Sequence, residues 1–114
     1  MYNKAFISGV ADLLILAILF RSDSYGYEIT QTIKQYSEEK LVLSPNTVYA
    51  CIYKLEDKGY ISEYSKLVGR KRTRVYYHLE EAGVKHYLSS LQEYRTITEN
   101  VFHILDALEE HKDE

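Results

Sequence analysis

The sequence predicts an α+β fold that is mostly α: a small helical head carrying a β-hairpin, followed by one long helix. Three observations predict it. Apolar residues recur at helical spacing in three separate segments before residue 60. An alternating segment, "YISEYSKLV", is followed by "GRKR" and then the β-branched, aromatic "TRVYYHL", which together read as a hairpin. From Glu80 to Glu110 a helical pattern runs without proline.

The elements follow in order. Phe6–Phe20 is apolar on nearly every side from Leu13 onward and reads as a core helix. Its run "VADLLILAILF" is too short for a bilayer span and contains Asp12. "RSDSYG" breaks it. Ser24 is the expected N-cap of a second helix, "YGYEITQTIKQYSEE", with Tyr27, Ile29, Ile33 and Tyr36 near helical spacing. "KLVL" is either a brief strand or a link. Ser44 before Pro45 signals a third helix, because serine caps the free amides and proline is pre-set for a first turn. Val48, Cys51, Ile52 and Leu55 form its buried face, and Gly59 ends it.

Size and charge narrow the function. The chain has 114 residues, so one domain's worth of core is available. We divide it into a head, 1–79, and a C-terminal helix, 80–114. The single cysteine, Cys51, excludes an internal disulfide; it reads as an inert core thiol, with a redox sensor as the alternative. No basic segment precedes the first apolar run and no small-residue cleavage site follows it, which predicts no signal peptide and a reducing, cytoplasmic location. The formal net charge is −3, yet Lys66, Arg70, Lys71, Arg72 and Arg74 cluster in and around the hairpin turn with no acid among them. That asymmetry says more about partners than the total does.

Helix, helix, helix, hairpin is the layout of a winged helix-turn-helix, whose third helix enters the DNA major groove while the hairpin wing lies along the backbone. Opposite its buried face, the third helix carries Asn46, Ala50, Tyr53 and Asp57, flanked by Thr47, Tyr49 and Lys54. Amide, hydroxyl and phenol groups can bond base edges or phosphates, and Ala50 permits close approach. The capped start at Ser44 offers amides to a phosphate. Alone, this helix would equally suit a plain solvated surface. The cationic hairpin favours double-stranded DNA, because each engaged phosphate releases counterions.

"YGYEI" (25–29), "LSPNTVYACIYKLEDKGYI" (43–61) and "RVYYHLEEAG" (74–83) resemble the signature segments of PadR-like transcriptional regulators, in the short subfamily with one C-terminal helix. The resemblance covers nearly the whole chain. It departs at Asn46-Thr47-Val48-Tyr49-Ala50, where the family commonly has Gly-Thr-Leu-Tyr-Pro, and at Glu80, where it often has threonine. The resemblance implies a dimeric DNA-binding repressor; in many relatives a small molecule or a change in cell state relieves repression.

In the last helix Val84, Leu91, Thr98 and Leu105 form one heptad row; Tyr87, Tyr94, Val101 and Leu108 form another, with Leu88 and Phe102 beside them. A 3.5-residue repeat is a helix-to-helix seam. It predicts a homodimer on a pseudo-palindromic operator, or packing against the first helix, or both. Some short-subfamily members bind planar aromatic compounds between the last and first helices. The resemblance places Tyr94 at the stacking position of such a site, with Thr98 one turn on; ordinary seam packing is the alternative. The histidines (His78, His86, His103, His111) lack metal-ligand or catalytic spacing, and no nucleotide loop or nucleophile triad occurs. No enzymatic activity, metal or cofactor is expected. The competing reading is a winged helix that docks proteins and does not bind DNA.

Overall fold

The computed structural model describes residue 7 and residues 9–111. Phe6 and Ser8 of the first expected helix, and residues 112–114 of the last, lie outside the described residues. The order is α1 (Val10–Arg21), β1 (Ser24–Tyr25), α2 (Gly26–Tyr36), α3 (Pro45–Asp57), β2 (Ile61–Val68), β3 (Arg72–Leu79) and α4 (Glu81–Glu110). Among the described residues, no helix is long and apolar enough to cross a membrane.

α1 is the centre of the head. Ala11, Ile15, Leu16 and Leu19 are buried, and Leu13, Leu14, Ala17 and Ile18 are partly buried around them. This explains its near-uniform apolarity: α2, α3, β3 and α4 all pack on it. α2 turns Ile29 and Ile33 inward. Tyr27 and Tyr36, expected with them, are exposed; near-helical spacing did not make them part of the buried stripe.

Ser24 does not cap α2. It is buried in β1, where it pairs with Tyr77 of β3, and Tyr25 is the N-cap residue without a side-chain bond. The sheet is antiparallel in the order β1-β3-β2, so the wing hairpin gains a third strand that ties it to the head. "KLVL" forms no strand; it is the link into α3, with Leu43 buried.

Between α3 and β2 the chain turns on Gly59, at φ +76°. The Gly59 amide bonds the Glu56 carbonyl at 2.9 Å and the Tyr60 amide bonds the Leu55 carbonyl at 3.1 Å. These two bonds satisfy the last carbonyls of α3 and set the angle at which the wing leaves it.

α4 has two different halves. Its first turns belong to the head: Gly83 and Tyr87 are buried, Val84 and Leu91 pack against the core, and the Tyr87 ring lies 5.0 Å from that of Phe20. Gly83, a weak point by propensity, is required by contact, because a Cβ there would overlap the Tyr60 carbonyl oxygen. The second half is bare. Ile97, Val101, Phe102, Ile104, Leu105 and Leu108 are all exposed.

Candidate nucleic-acid interface

α3 begins as its residues dictate. Ser44 Oγ accepts the Thr47 amide at 3.2 Å and shares a 2.9 Å hydroxyl bond with Thr47, and Pro45 opens the first turn. Both hydroxyls therefore serve the cap. No acid lies in the first turn, so the amino end keeps its partial positive charge. Val48, Ile52 and Leu55 point into the core, while Asn46, Ala50, Tyr53 and Asp57 are exposed on the opposite side.

Three residues of α3 make contacts that the sequence did not show. Lys54 Nζ lies 2.6 Å from Asp12 Oδ2, so this cation is drawn back to α1, away from the outer face. The hydrogen bond to Asp12 holds the Lys54 pKa above its ordinary value despite partial burial. Tyr49 is half-buried and packs over Gly26, where a Cβ would strike its hydroxyl. Its ring thus sets the approach of α3 to α2, and its centroid lies 6.1 Å from that of Tyr53. Cys51 is at the margin of the core and not inside it. Burial, with Asp12 beside it, pushes its thiol up to about 11, which leaves little thiolate at neutral pH.

The carboxyl end of α3 is acidic. Burial, then the neighbouring Glu63 carboxyl of β2 and the charge of Asp57, push the Glu56 carboxyl up to about 7. Tyr77 lies behind this group, and burial raises its phenol strongly. The polar helix therefore runs from an anion-favouring start to an anion-repelling end.

The wing turn is Gly69, Arg70 and Lys71, with Gly69 at φ +76° and Val68 paired with Arg72. Arg70, Lys71 and Arg72 are exposed. The register sorts the remaining cations. Ile61–Leu79 and Glu63–Tyr77 pair on the side that faces the core; Ser62–His78, Tyr64–Tyr76, Lys66–Arg74 and Val68–Arg72 pair on the other. Lys66, Arg72 and Arg74 thus share the outer face of the hairpin. Lys66 Nζ lies 5.4 Å from the Tyr76 ring centroid, and the Arg74 guanidinium carbon 4.1 Å from that of Tyr25. Sequence reasoning found the cations but not these tyrosine supports, whose only signal is the alternation of Tyr64 and Tyr76 with basic residues.

On α4, Tyr87 lies in the core against Phe20, which is the packing on the first helix that the heptad left open beside a seam between copies. Val84 and Leu91 are likewise drawn inward. The helix buries its first turns on α1, and a heptad cannot tell which helix it meets. Leu88, Tyr94, Val101, Phe102, Leu105 and Leu108 stay exposed, and Thr98 is half-buried. Tyr94 stands between two hollows. One, about 440 Å3, is bordered by Val10, Leu13, His86 and Ile97; the other, about 320 Å3, by Leu13, Leu91 and Thr98.

Comparison with known proteins agrees with this geometry. A model of the transcriptional regulator PadR-like family matches residues 15–89. An uncharacterized protein of Lysinibacillus sphaericus is 33% identical over 110 residues, which span 96% of this chain and 100% of that one. A transcriptional regulator from Clostridium thermocellum superposes with a TM-score of 0.79 at 33% identity, over 90% of this chain and 96% of that one. Bacillus subtilis PadR, solved in complex with operator DNA, superposes with a TM-score of 0.66 at 26% identity, over 72% of this chain and 46% of that one. Since the family match runs from the middle of α1 through α3 and the whole hairpin into α4, the chain belongs to the PadR-like family, whose members are transcriptional regulators and not enzymes.

Proposed function

We propose that the protein represses transcription as a homodimer, binding a pseudo-palindromic operator in double-stranded DNA. The observation that carries this reading is the exposed polar face of α3, open at its amide-bearing start and joined by one turn to a cationic hairpin. Asn46, Ala50 and Tyr53 meet base edges in the major groove. Ser44 and Thr47 present the helix start to a phosphate. Arg70, Lys71 and Arg72 at the tip, with Lys66 and Arg74 on the strands, neutralise the backbone. Tyr49 and Lys54 support α3 from behind. The solved operator complex of Bacillus subtilis PadR, a relative of the same fold, supports operator DNA as the partner.

The exposed second half of α4 is the surface for a second copy, and residues 80–114 act as the dimerisation helix of the 1–79 head. Two copies would set their α3 helices about 34 Å apart, one turn of duplex. The test is fluorescence anisotropy with DNA from immediately upstream of the protein's own gene, across a salt series. Arg70→Ala with Arg72→Ala removes four cations from the dimer and should reduce the steepness of log affinity against log salt by up to about 3.6, from about 0.9 per phosphate. Substituting Asn46 or Tyr53 should change preference among sequences, by about 1–3 kcal/mol at the base pair read. Absence of salt-dependent duplex binding would leave the protein-docking winged helix as the function.

The hollows on either side of Tyr94 favour a further element, relief of repression by a small planar aromatic molecule that stacks on Tyr94 near Thr98. A flat cationic dye should bind saturably to the wild type and more weakly to Tyr94→Ala. No saturable binding to the wild type rejects an effector of this class.

A further inference from the structure

Beside the β1–β3 pairing, one carboxylate in the link between α1 and β1 ties the wing to the head by its side chain. Asp23 Oδ2 accepts a hydrogen bond from the Tyr64 hydroxyl at 2.7 Å, and Asp23 Oδ1 lies 2.8 Å from Nδ1 of His78. The partners come from β2 and β3, 41 and 55 residues further along the chain. Asp23 therefore clasps both wing strands to the end of α1. The same face continues outward as a packed strip. Tyr64 stacks on Tyr76 at 5.8 Å, Tyr25 meets Tyr76 edge-on at 5.4 Å, and Lys66 and Arg74 lie over Tyr76 and Tyr25. Tyr76 and Tyr25 each carry a cation on the ring, so they act as supports that fix where two positive charges sit.

We propose that Asp23 is a positioning residue for DNA binding: it holds the wing strands in the orientation from which Lys66, Arg72 and Arg74 meet phosphate, without touching the duplex itself. This rests on the DNA-binding reading above. Its sign separates it from simple electrostatics. Removing an acid beside a cationic surface strengthens attraction to a polyanion by charge alone. Loss of positioning weakens binding, because the wing's ordering cost then falls on the binding step.

The clasp is charge-assisted. The hydrogen bond to Asp23 raises the His78 pKa; partial burial opposes this, and the charges of Asp23 and Glu80 add to it. Burial disfavours the ionised form of Asp23, but the bonds from Tyr64 and His78 outweigh it and lower its pKa. Tyr64 stays neutral, its phenol raised by the same bond, and Glu80 is bonded to Ser62, which pairs with His78 across the strands. The charged clasp is complete below the ordinary imidazole range, about 6.5, and is lost as pH rises through the higher folded-state value of His78.

The experiment compares wild type, Asp23→Asn and Tyr64→Phe on one duplex, across salt, at pH 6 and pH 8.5, with thermal melts to confirm folding. Amide exchange of β2 and β3 is followed without DNA. At pH 6, Asp23→Asn should raise Kd about three- to fivefold, the scale of a partly exposed charged pair. The salt slope should stay unchanged, because the number of phosphates engaged is the same. The gap from wild type should narrow at pH 8.5. Tyr64→Phe should shift Kd in the same direction, and strand amides should exchange faster in both variants. Equal or tighter binding by Asp23→Asn at pH 6, a flattened salt slope, or unchanged exchange overturns the positioning role alone. A wild type that binds no duplex overturns the DNA-binding reading, and this role with it.

Discussion

Replacing Gly83 with alanine sets two physical effects against each other. Helix propensity favours the change: glycine to alanine within a helix is worth roughly 1 kcal/mol of stabilisation. Contact geometry opposes it. An alanine Cβ would overlap the Tyr60 carbonyl oxygen, lie 2.6 Å from Leu79 Cδ1 and lie 2.9 Å from the Tyr60 carbonyl carbon. Leu79 can shift, but the Tyr60 backbone cannot easily do so. Its amide closes the end of α3 by bonding the Leu55 carbonyl, and its carbonyl accepts the Glu80 amide at 3.0 Å. Overpacking against fixed backbone costs about 1–3 kcal/mol, so a mid-range clash of about 2 leaves a net loss near 1 kcal/mol after the propensity gain. For a chain of this size that lowers Tm by about 4 °C, readable by circular dichroism at fixed protein concentration. A Tm that rises in Gly83→Ala would refute the close-approach argument and the docking of α4 derived from it.

Other expectations follow from single contacts. Val101→Glu with Leu105→Glu should yield a folded monomer in sedimentation, since both side chains are exposed within the protomer. Lys54→Ala should leave the salt slope of duplex binding unchanged, because Lys54 is engaged by Asp12, and should cost about 1 kcal/mol or less in denaturant unfolding. Glu56→Gln should remove a pH dependence. An acid raised to about 7 from an ordinary 4.5 binds its proton more tightly when folded, so stability falls as pH rises through that window; the variant should lose this decline and be the more stable at pH 8 in urea titrations. Cys51 should react with iodoacetamide at pH 7.5 on the order of 100-fold more slowly than a free thiol, in keeping with a thiolate suppressed at about 11.

Local chemistry made much of the fold legible in the sequence. Ser44-Pro45 and Gly59 bracket α3, because capping and left-handed turns are decided within a few residues. The hairpin was legible from alternation and from Gly69. The unread features depend on partners distant in the chain. β1 is two residues long, too short for any periodicity, and exists because β3 pairs with it. Lys54 and Asp12 meet across two helices, and Asp23 meets residues 41 and 55 positions away. Tyr87 shows the limit of pattern reading: its heptad position is correct for burial, but only the packing of α4 on α1 determines that Phe20 covers it.

No glycine or proline interrupts α4 between Val84 and Glu110, and its root is wedged against Phe20 and the Tyr60 backbone. Such a helix behaves as a stiff lever. From Tyr87 to Glu110 it spans about 35 Å, so a tilt of about 10° at the root corresponds to a sweep of about 6 Å at the tip. Whatever grips the far end of this arm thereby also governs the angle at which α1, and the reading head built on it, is held.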